Sequence, residues 1–192
     1  MKTTHMLAML LTVAAMFALA DTSALAKDPA DVQKAAAAEK LEPYTCGHVQ
    51  RLHTLGGIFL ASQPDPDDFR TAQEGGIKTV VNLRLPDELN WDEPSHVRKL
   101  GMEYVAIPFR SPDSLTDEVF AKSLKVLSDE TKRPLILHCA SANRVGAIWL
   151  AHRVLDDGIA YSDALAEAKT VGLKLPAYET KAADYIRRMK KQ

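Results

Sequence analysis

The residues best suited to chemistry lie in one short stretch, His138 to Arg144, which reads HCASANR. A cysteine thiolate is a strong nucleophile. An arginine guanidinium binds oxyanions through paired N–H donors, which suits a phosphate or a thiosulfonate equally. Only four residues separate Cys139 from Arg144, so both side chains can face one small concavity. The stretch therefore predicts a nucleophile beside an anion-binding group.

The elements on either side of this stretch predict how it is held. Leu135 to Leu137 is a short apolar run, typical of a buried strand. From Arg144 onward, apolar residues recur at helical spacing, so we expect a helix there. A strand–loop–helix turn directs backbone N–H groups and the positive end of a helix dipole into the loop. We therefore expect the loop to bind an anion and to favour the thiolate form of Cys139.

This stretch resembles the signature of the cysteine-dependent phosphatases of the tyrosine and dual-specificity kind. Two upstream segments extend the resemblance, namely residues 57–69 (GIFLASQPDPDDF) and 76–84 (GIKTVVNLR). Together they resemble the bacterial phosphatase-like domain that accompanies some metallo-β-lactamase-fold sulfur enzymes. The resemblance covers roughly Leu52 to Lys174, and it implies a protein tyrosine phosphatase-like α/β sandwich.

The loop also departs from that family. It is one residue shorter than the phosphatase loop, the family's loop glycine falls at Ala142, and Val145 replaces the hydroxyl residue that usually follows the arginine. In the family that hydroxyl helps the thiolate to leave. The shorter spacing resembles the loop of rhodaneses, which cradles a persulfide sulfur. The loop geometry thus favours sulfur chemistry, while the surrounding sequence favours phosphatases.

The resemblance also implies roles for other residues. A phosphatase needs a general acid to protonate the leaving alkoxide, and in the family this is an Asp after the preceding strand, which corresponds to Asp113. His138 is expected to hold the loop through hydrogen bonds or to be a buried structural histidine. Arg84 is expected at the mouth of the pocket or in a structural ion pair. The candidate substrate contacts are His138 and the remaining loop residues, Ala140, Ser141, Ala142 and Asn143.

Three functions follow from these residues. The first is hydrolysis of a phosphoester, with Cys139 as nucleophile, Arg144 as anion binder and Asp113 as acid. The second is sulfur transfer through a persulfide on Cys139, which needs no such acid. The third is a catalytically silent module that uses the pocket to hold an anion or a partner. In each case the ligand is a small anionic or phosphorylated molecule.

Composition excludes several other classes. The 192 residues carry 24 basic and 25 acidic side chains, so no basic surplus indicates a nucleic-acid partner. The histidines show no clustered ligand spacing of the kind that marks a metal site. No glycine-rich nucleotide motif is present either. We therefore expect no metal and no cofactor, and the sequence leaves the oligomeric state open.

The N-terminus has the pattern of a secretory signal. Lys2 precedes an apolar run from Met6 to Ala20, and Ala24 to Ala26 offers a small-residue cleavage site. The run is short for a membrane span, so we expect cleavage near Ala26, no stable membrane insertion afterwards, and a periplasmic or secreted protein. In an oxidising compartment, Cys46 and Cys139 could form a structural disulfide or a reversible one that protects the thiolate.

The rest of the chain predicts one domain. We expect a signal peptide over residues 1–26, a linker or loosely docked helix over 27–46, and the phosphatase-like domain over 47–192. Strand and helix patterns alternate along that domain, which is typical of a mostly parallel sheet flanked by helices. Helix starts are predicted at Asp65, Thr116 and Ser162, each of which can cap a first turn.

Overall fold

The computed structural model describes residues 29–191 as an α/β sandwich around a single six-stranded sheet. The strand order is β1-β2-β3-β6-β4-β5. The strands are β1 (Glu42–Pro43), β2 (Leu52–Leu55), β3 (Ile58–Ala61), β4 (Thr79–Asn82), β5 (Glu103–Ala106) and β6 (Leu135–His138). Strands β3, β6, β4 and β5 run parallel to their neighbours, while β1 and β2 add an antiparallel edge. The fold class predicted from sequence is confirmed.

Strand β6 occupies the centre of the sheet because it pairs with both β3 and β4. Its last residue, His138, lies opposite Ala61 on one side and Asn82 on the other. The segments that follow β4, β5 and β6 therefore meet at the same edge of the sheet, as parallel strands require. This edge holds the stretch that the sequence marks for chemistry.

Helices cover both faces of the sheet. Helices α1 (Pro29–Ala36), α2 (Pro66–Glu74) and α3 (Glu93–Lys99) lie on one face, and α4 (Asp117–Leu127), α5 (Asn143–Leu155), α6 (Tyr161–Val171) and α7 (Pro176–Met189) lie on the other. Successive side chains along a strand therefore point alternately into two apolar cores, one on each face of the sheet. Leu135 and Leu137 pack with the second group of helices, whereas Ile136 packs with the first. Burial on both faces explains why β6 reads as an unbroken apolar run.

Local signals account for most helix starts. Asp65 caps α2 by accepting the N–H groups of Asp67 and Asp68, and Thr116 caps α4 through Val119. The expected cap at Ser162 is wrong, because α6 begins at Tyr161 and its N-cap is Ala160, which makes no side-chain bond. The helix start here is set by packing, since Ala164 and Ala168 are fully buried against the core.

The segment expected to be a linker or a loosely docked helix is docked within the part that is described. Val32 of α1 is buried in the core beneath the sheet, and β1 pairs with β2. The predicted signal peptide, residues 1–26, lies outside the described residues. Within residues 29–191, no helix has both the length and the apolar character needed to cross a membrane.

Candidate active site

The predicted loop joins the end of β6 to the start of α5. Cys139 is 1% exposed and Arg144 is 6% exposed, while Ala140 and Ser141 between them are exposed to solvent. The loop therefore opens outward and keeps its two reactive side chains at its base. The two ends of the loop are thus buried, and its middle is exposed.

Ala142 turns the loop into the helix. Its φ of 66° lies in the left-handed region, where L-residues other than glycine are uncommon, and it is the N-cap of α5. Its side chain makes no capping hydrogen bond. The first N–H groups of α5 thus have no side-chain cap, and together with the helix dipole they favour an anion in the loop.

Arg144 is held at the base of the loop by four acceptor contacts. Its Nη1 donates to Leu83 O (3.1 Å), to Phe109 O (2.7 Å) and to Glu88 Oε2 (2.8 Å), and its Nη2 donates to Glu88 Oε1 (2.9 Å). The Nε–H takes no part in these contacts. The guanidinium is therefore fixed from behind and keeps an edge for an anion.

The charges of this pair are maintained by their surroundings. Burial acts to lower the pKa of Arg144, but the hydrogen bond to Glu88 and the neighbouring Cys139 outweigh it, so the pKa is raised. Burial acts to raise the pKa of Glu88, but hydrogen bonds from Arg144 and from the Leu85 N–H hold it below its usual range. Cys139 is thus close enough to Arg144 to interact with it electrostatically.

His138 points to the opposite face of the sheet from Cys139. It is fully buried, its ring packs edge-on against Phe69, and its Nε2 lies 3.2 Å from Oε1 of Glu93. The two atoms are close, but their geometry is not that of a hydrogen bond. Its Nδ1 is buried without a hydrogen-bond partner among the described residues. His138 thus has the buried position expected from the sequence.

Glu93 is the acid behind His138, and no local sequence pattern marks it as a functional residue. It is fully buried at the first turn of α3 and accepts hydrogen bonds from Tyr104 (2.9 Å) and Gln63 (2.5 Å). Burial acts to raise the pKa of Glu93, but His138, Gln63 and Tyr104 lower it overall. A fully buried, ionised carboxylate at this edge of the sheet is costly unless it is paired, as it is here.

The other predicted residues lie in different environments. Asn143 uses its Oδ1 to accept the backbone N–H groups of Lys174 (2.8 Å) and Leu175 (3.2 Å), so this oxygen fastens the segment before α7. The side chain of Asp113 is 98% exposed, on a short 3-10 turn (Pro112–Ser114), and its Oδ1 lies 3.8 Å from Lys181. No contact that the structure gives for Asp113 joins it to Cys139 or Arg144.

The two cysteines lie on different sides of the sheet and no disulfide joins them. Cys139 belongs to the core beneath α4 to α7, whereas half-buried Cys46 packs against the core beneath α1 to α3. This separation argues against Cys46 as a direct partner of Cys139.

Folding also brings His48, Asp65 and Asp68 together, with ligand atoms within 4.8 Å of one another. The spacing in sequence does not show this group. Both carboxylates already accept backbone N–H groups at the start of α2, and His48 Nδ1 lies 3.0 Å from Asp65 Oδ2. We therefore interpret the group as helix capping.

Comparison with known proteins places this geometry in context. No family model matches the chain. An inositol diphosphatase of Arabidopsis thaliana is 28% identical over 99 residues, which is 48% of this chain and 48% of that protein. The chain thus spans about half the length of this curated relative.

Solved structures extend the likeness over more of the chain. A phosphatase-like DUF442 protein from Shewanella putrefaciens matches with a TM-score of 0.60 and 16% identity, over 73% of this chain and 91% of that one. A Cys-to-Ser variant of TpbA from P. aeruginosa, in complex with pTyr, matches with a TM-score of 0.60 and 19% identity, over 76% of this chain and 88% of that one. The chain has the fold of the protein tyrosine phosphatases, and the resemblance to the cysteine-dependent phosphatase superfamily is confirmed at the level of the fold.

Proposed function

We propose that this protein is a cysteine-dependent phosphatase that hydrolyses a phosphoester through Cys139 and Arg144. The observation that carries the proposal is the juxtaposition at the base of the loop. A buried thiol lies beside a buried arginine, whose Nη atoms are held by Glu88 and two carbonyls, at the uncapped start of α5. This arrangement offers a nucleophile and an anion-binding group in one concavity.

The reaction follows from these positions. The thiolate of Cys139 attacks phosphorus, a sulfur–phosphorus bond forms, and the bond from phosphorus to the leaving oxygen breaks. Arg144 and the loop N–H groups stabilise the charge on the phosphoryl oxygens. An acid, for which we propose Asp113, gives a proton to the leaving oxygen. Water then attacks phosphorus and gives a proton to the carboxylate of Asp113, the sulfur–phosphorus bond breaks, and the Cys139 thiolate and inorganic phosphate are released.

The fold comparisons support this chemistry over sulfur transfer. The relatives described above include an inositol diphosphatase and a protein bound to pTyr, and none is described as a sulfurtransferase. The short loop remains the one feature that favours a persulfide. For the substrate, we propose a phosphorylated small molecule or a phosphorylated side chain, since the loop is open at Ala140 and Ser141.

We also propose that the mature protein is exported, on the strength of the N-terminal pattern in the sequence. N-terminal sequencing of the protein recovered from a periplasmic fraction tests this. A start near Lys27 is the expected result, and recovery of the intact chain in the cytoplasm would contradict it.

The function is tested by the turnover of an aryl phosphate by reduced protein, in parallel with Cys139→Ser and Cys46→Ser. We expect release of phosphate by the wild type and by Cys46→Ser, and none by Cys139→Ser. The Cys46 variant is the matched control, because it removes the other thiol of the chain. Equal rates in all three would refute the proposal.

The same proteins separate the two remaining functions. A sulfur adduct on Cys139 detected by mass, without phosphate release, would favour sulfur transfer. Phosphate binding that survives in Cys139→Ser, without turnover in the wild type, would favour a silent binding module.

A further inference from the structure

A network of buried and half-buried polar groups connects the two ends of the loop. The network begins at Arg144, which pairs with Glu88. The backbone oxygen of Glu88 accepts from Arg84, and Arg84 Nη1 donates to Gln63 Oε1 at 2.6 Å. Gln63 Nε2 then donates to Glu93 Oε2 at 2.5 Å. Glu93 lies against His138, the residue before Cys139.

Gln63 joins the two halves of this network. On one side is a guanidinium, which can only donate, and on the other is an ionised carboxylate, which can only accept. A neutral amide satisfies both, with its oxygen toward Arg84 and its nitrogen toward Glu93. Neither Glu nor Lys could do so, because the first lacks a donor and the second lacks an acceptor.

Gln63 also touches the loop itself. Its backbone N–H donates to Ala140 O at 3.3 Å, directly after Cys139. The next residue, Pro64, is buried and accepts from the same Gln63 amide at 2.9 Å. The side chain is therefore anchored at both its amide and its own backbone, which fixes its geometry.

We propose that Gln63 is a positioning residue that couples the placement of the nucleophile Cys139 to that of the anion-binding Arg144. It acts through Glu93 and His138 on one side and through Arg84 and Glu88 on the other. The inference rests on the proposed roles of Cys139 and Arg144. Side-chain networks of this kind help to hold a loop in place, and removing one member loosens it.

One assay reports on both ends of the loop without needing turnover. The rate at which iodoacetate alkylates Cys139, measured against pH, reports on the nucleophile. Protection of Cys139 from alkylation by inorganic phosphate reports on the anion site. Both are measured in a Cys46→Ser background, so that one thiol remains.

Gln63→Met preserves size and removes all three side-chain hydrogen bonds, to Arg84, Glu93 and the Pro64 carbonyl. We expect the alkylation rate at pH 7 and the phosphate protection constant each to weaken about tenfold, because buried donors and acceptors lose their partners. Gln73→Met is the matched control on the exposed side of α2, and we expect both quantities to stay within about twofold of wild type, as is usual for surface sites.

Gln63→Glu tests the coupling more finely. It keeps an oxygen for Arg84 and loses the donor to Glu93, so we expect slower alkylation while phosphate protection is largely kept. This variant also keeps the test open if Gln63→Met does not fold.

The proposal would be overturned by a folded Gln63→Met protein in which either quantity keeps its wild-type value. A fall in thermal stability with unchanged pH profile and protection would likewise overturn it and leave Gln63 a purely structural residue. Absence of phosphatase turnover in the wild type would refute the proposed function but would not affect these two readouts.

Discussion

The loop that holds Cys139 and the loop that holds Asp113 differ in how firmly the fold places them. Cys139 and Arg144 are buried, and Arg144 is bound by Glu88 and by two backbone carbonyls. Asp113 is almost fully exposed, and its ion-pair partner, Lys181, is half-buried. The fold therefore fixes the proposed nucleophile and anion-binding group firmly, whereas the proposed acid is an exposed side chain.

Hydrogen bonds hold the loop of Asp113 at its two ends. Tyr178 donates through its hydroxyl to Arg110 O at 2.7 Å, and Arg110 pairs with Asp87. Ser114 accepts the backbone N–H groups of Arg110 and Ser111. The backbone of the turn is thus defined, and what remains unconstrained is the Asp113 side chain itself.

The largest effect is expected from a substitution in the loop that holds Cys139 and Arg144. Arg144→Lys keeps the charge but loses the planar fork that pairs with Glu88 and binds oxyanions, so we expect kcat/KM for an aryl phosphate to fall about 10²- to 10³-fold. Arg153→Lys is the control. It also changes a largely buried arginine of α5 that pairs with two carboxylates, Asp157 and Glu167, and we expect wild-type kcat/KM. Equal losses in both variants would contradict a specific role of Arg144 in anion binding.

A smaller effect is expected in the exposed region. A general acid matters only when the leaving group is poor, so Asp113→Asn should lower turnover of an alkyl phosphate about 10- to 10²-fold and change that of an activated aryl phosphate much less. The ratio of the two rates is the measurement. An unchanged ratio would show that Asp113 does not act as the acid. Asp163→Asn, at the first turn of α6, is an exposed control.

Acid stability sharpens the contrast between buried and exposed carboxylates. Because the pKa of Glu93 is lower in the folded chain than its ordinary value of 4.5, its contribution to stability is complete above that pH and is lost as pH falls through the folded value. We therefore expect the free energy of unfolding to fall below about pH 4.5 in the wild type, and to fall less steeply in Glu93→Gln. Urea unfolding at a series of pH values measures this.

Asp113→Asn, which changes an exposed carboxylate, is the control variant in the same measurement. The expectation for Glu93 would be contradicted if Glu93→Gln and the wild type lost stability in parallel.

The smallest expected effect concerns the turn at Ala142. Glycine would remove the cost of a left-handed L-residue, roughly 1–2 kcal/mol. It would also remove a buried methyl and add freedom to the unfolded chain, at about 0.8 and 0.4–1 kcal/mol. These terms nearly cancel, so Ala142→Gly should lie within about 1 kcal/mol of wild type, whereas Ala147→Gly, buried within α5, should be destabilised by about 2 kcal/mol. Urea unfolding compares them, and equal losses would contradict the account of the turn.

Much of the fold could be predicted from the sequence because its signals are local. The apolar run of β6, the cap at Asp65 and the proline that opens α7 each depend on neighbouring residues. The start of α6 could not be predicted in this way, because a local signal does not set it. Ser162 is a good local cap, but tertiary packing of Ala164 and Ala168 determines where the helix begins.

The strand–loop–helix that presents Cys139 and Arg144 could likewise be predicted from sequence, since the cysteine, the arginine and the helix are contiguous. The residues that support them could not, because they come together only in the folded chain. Glu88, Glu93 and Gln63 come from separate segments, and nothing in their local sequence distinguishes them from ordinary surface residues. They meet because parallel strands β3, β4 and β6 end at one edge of the sheet, where buried charges need partners that the loop alone does not provide.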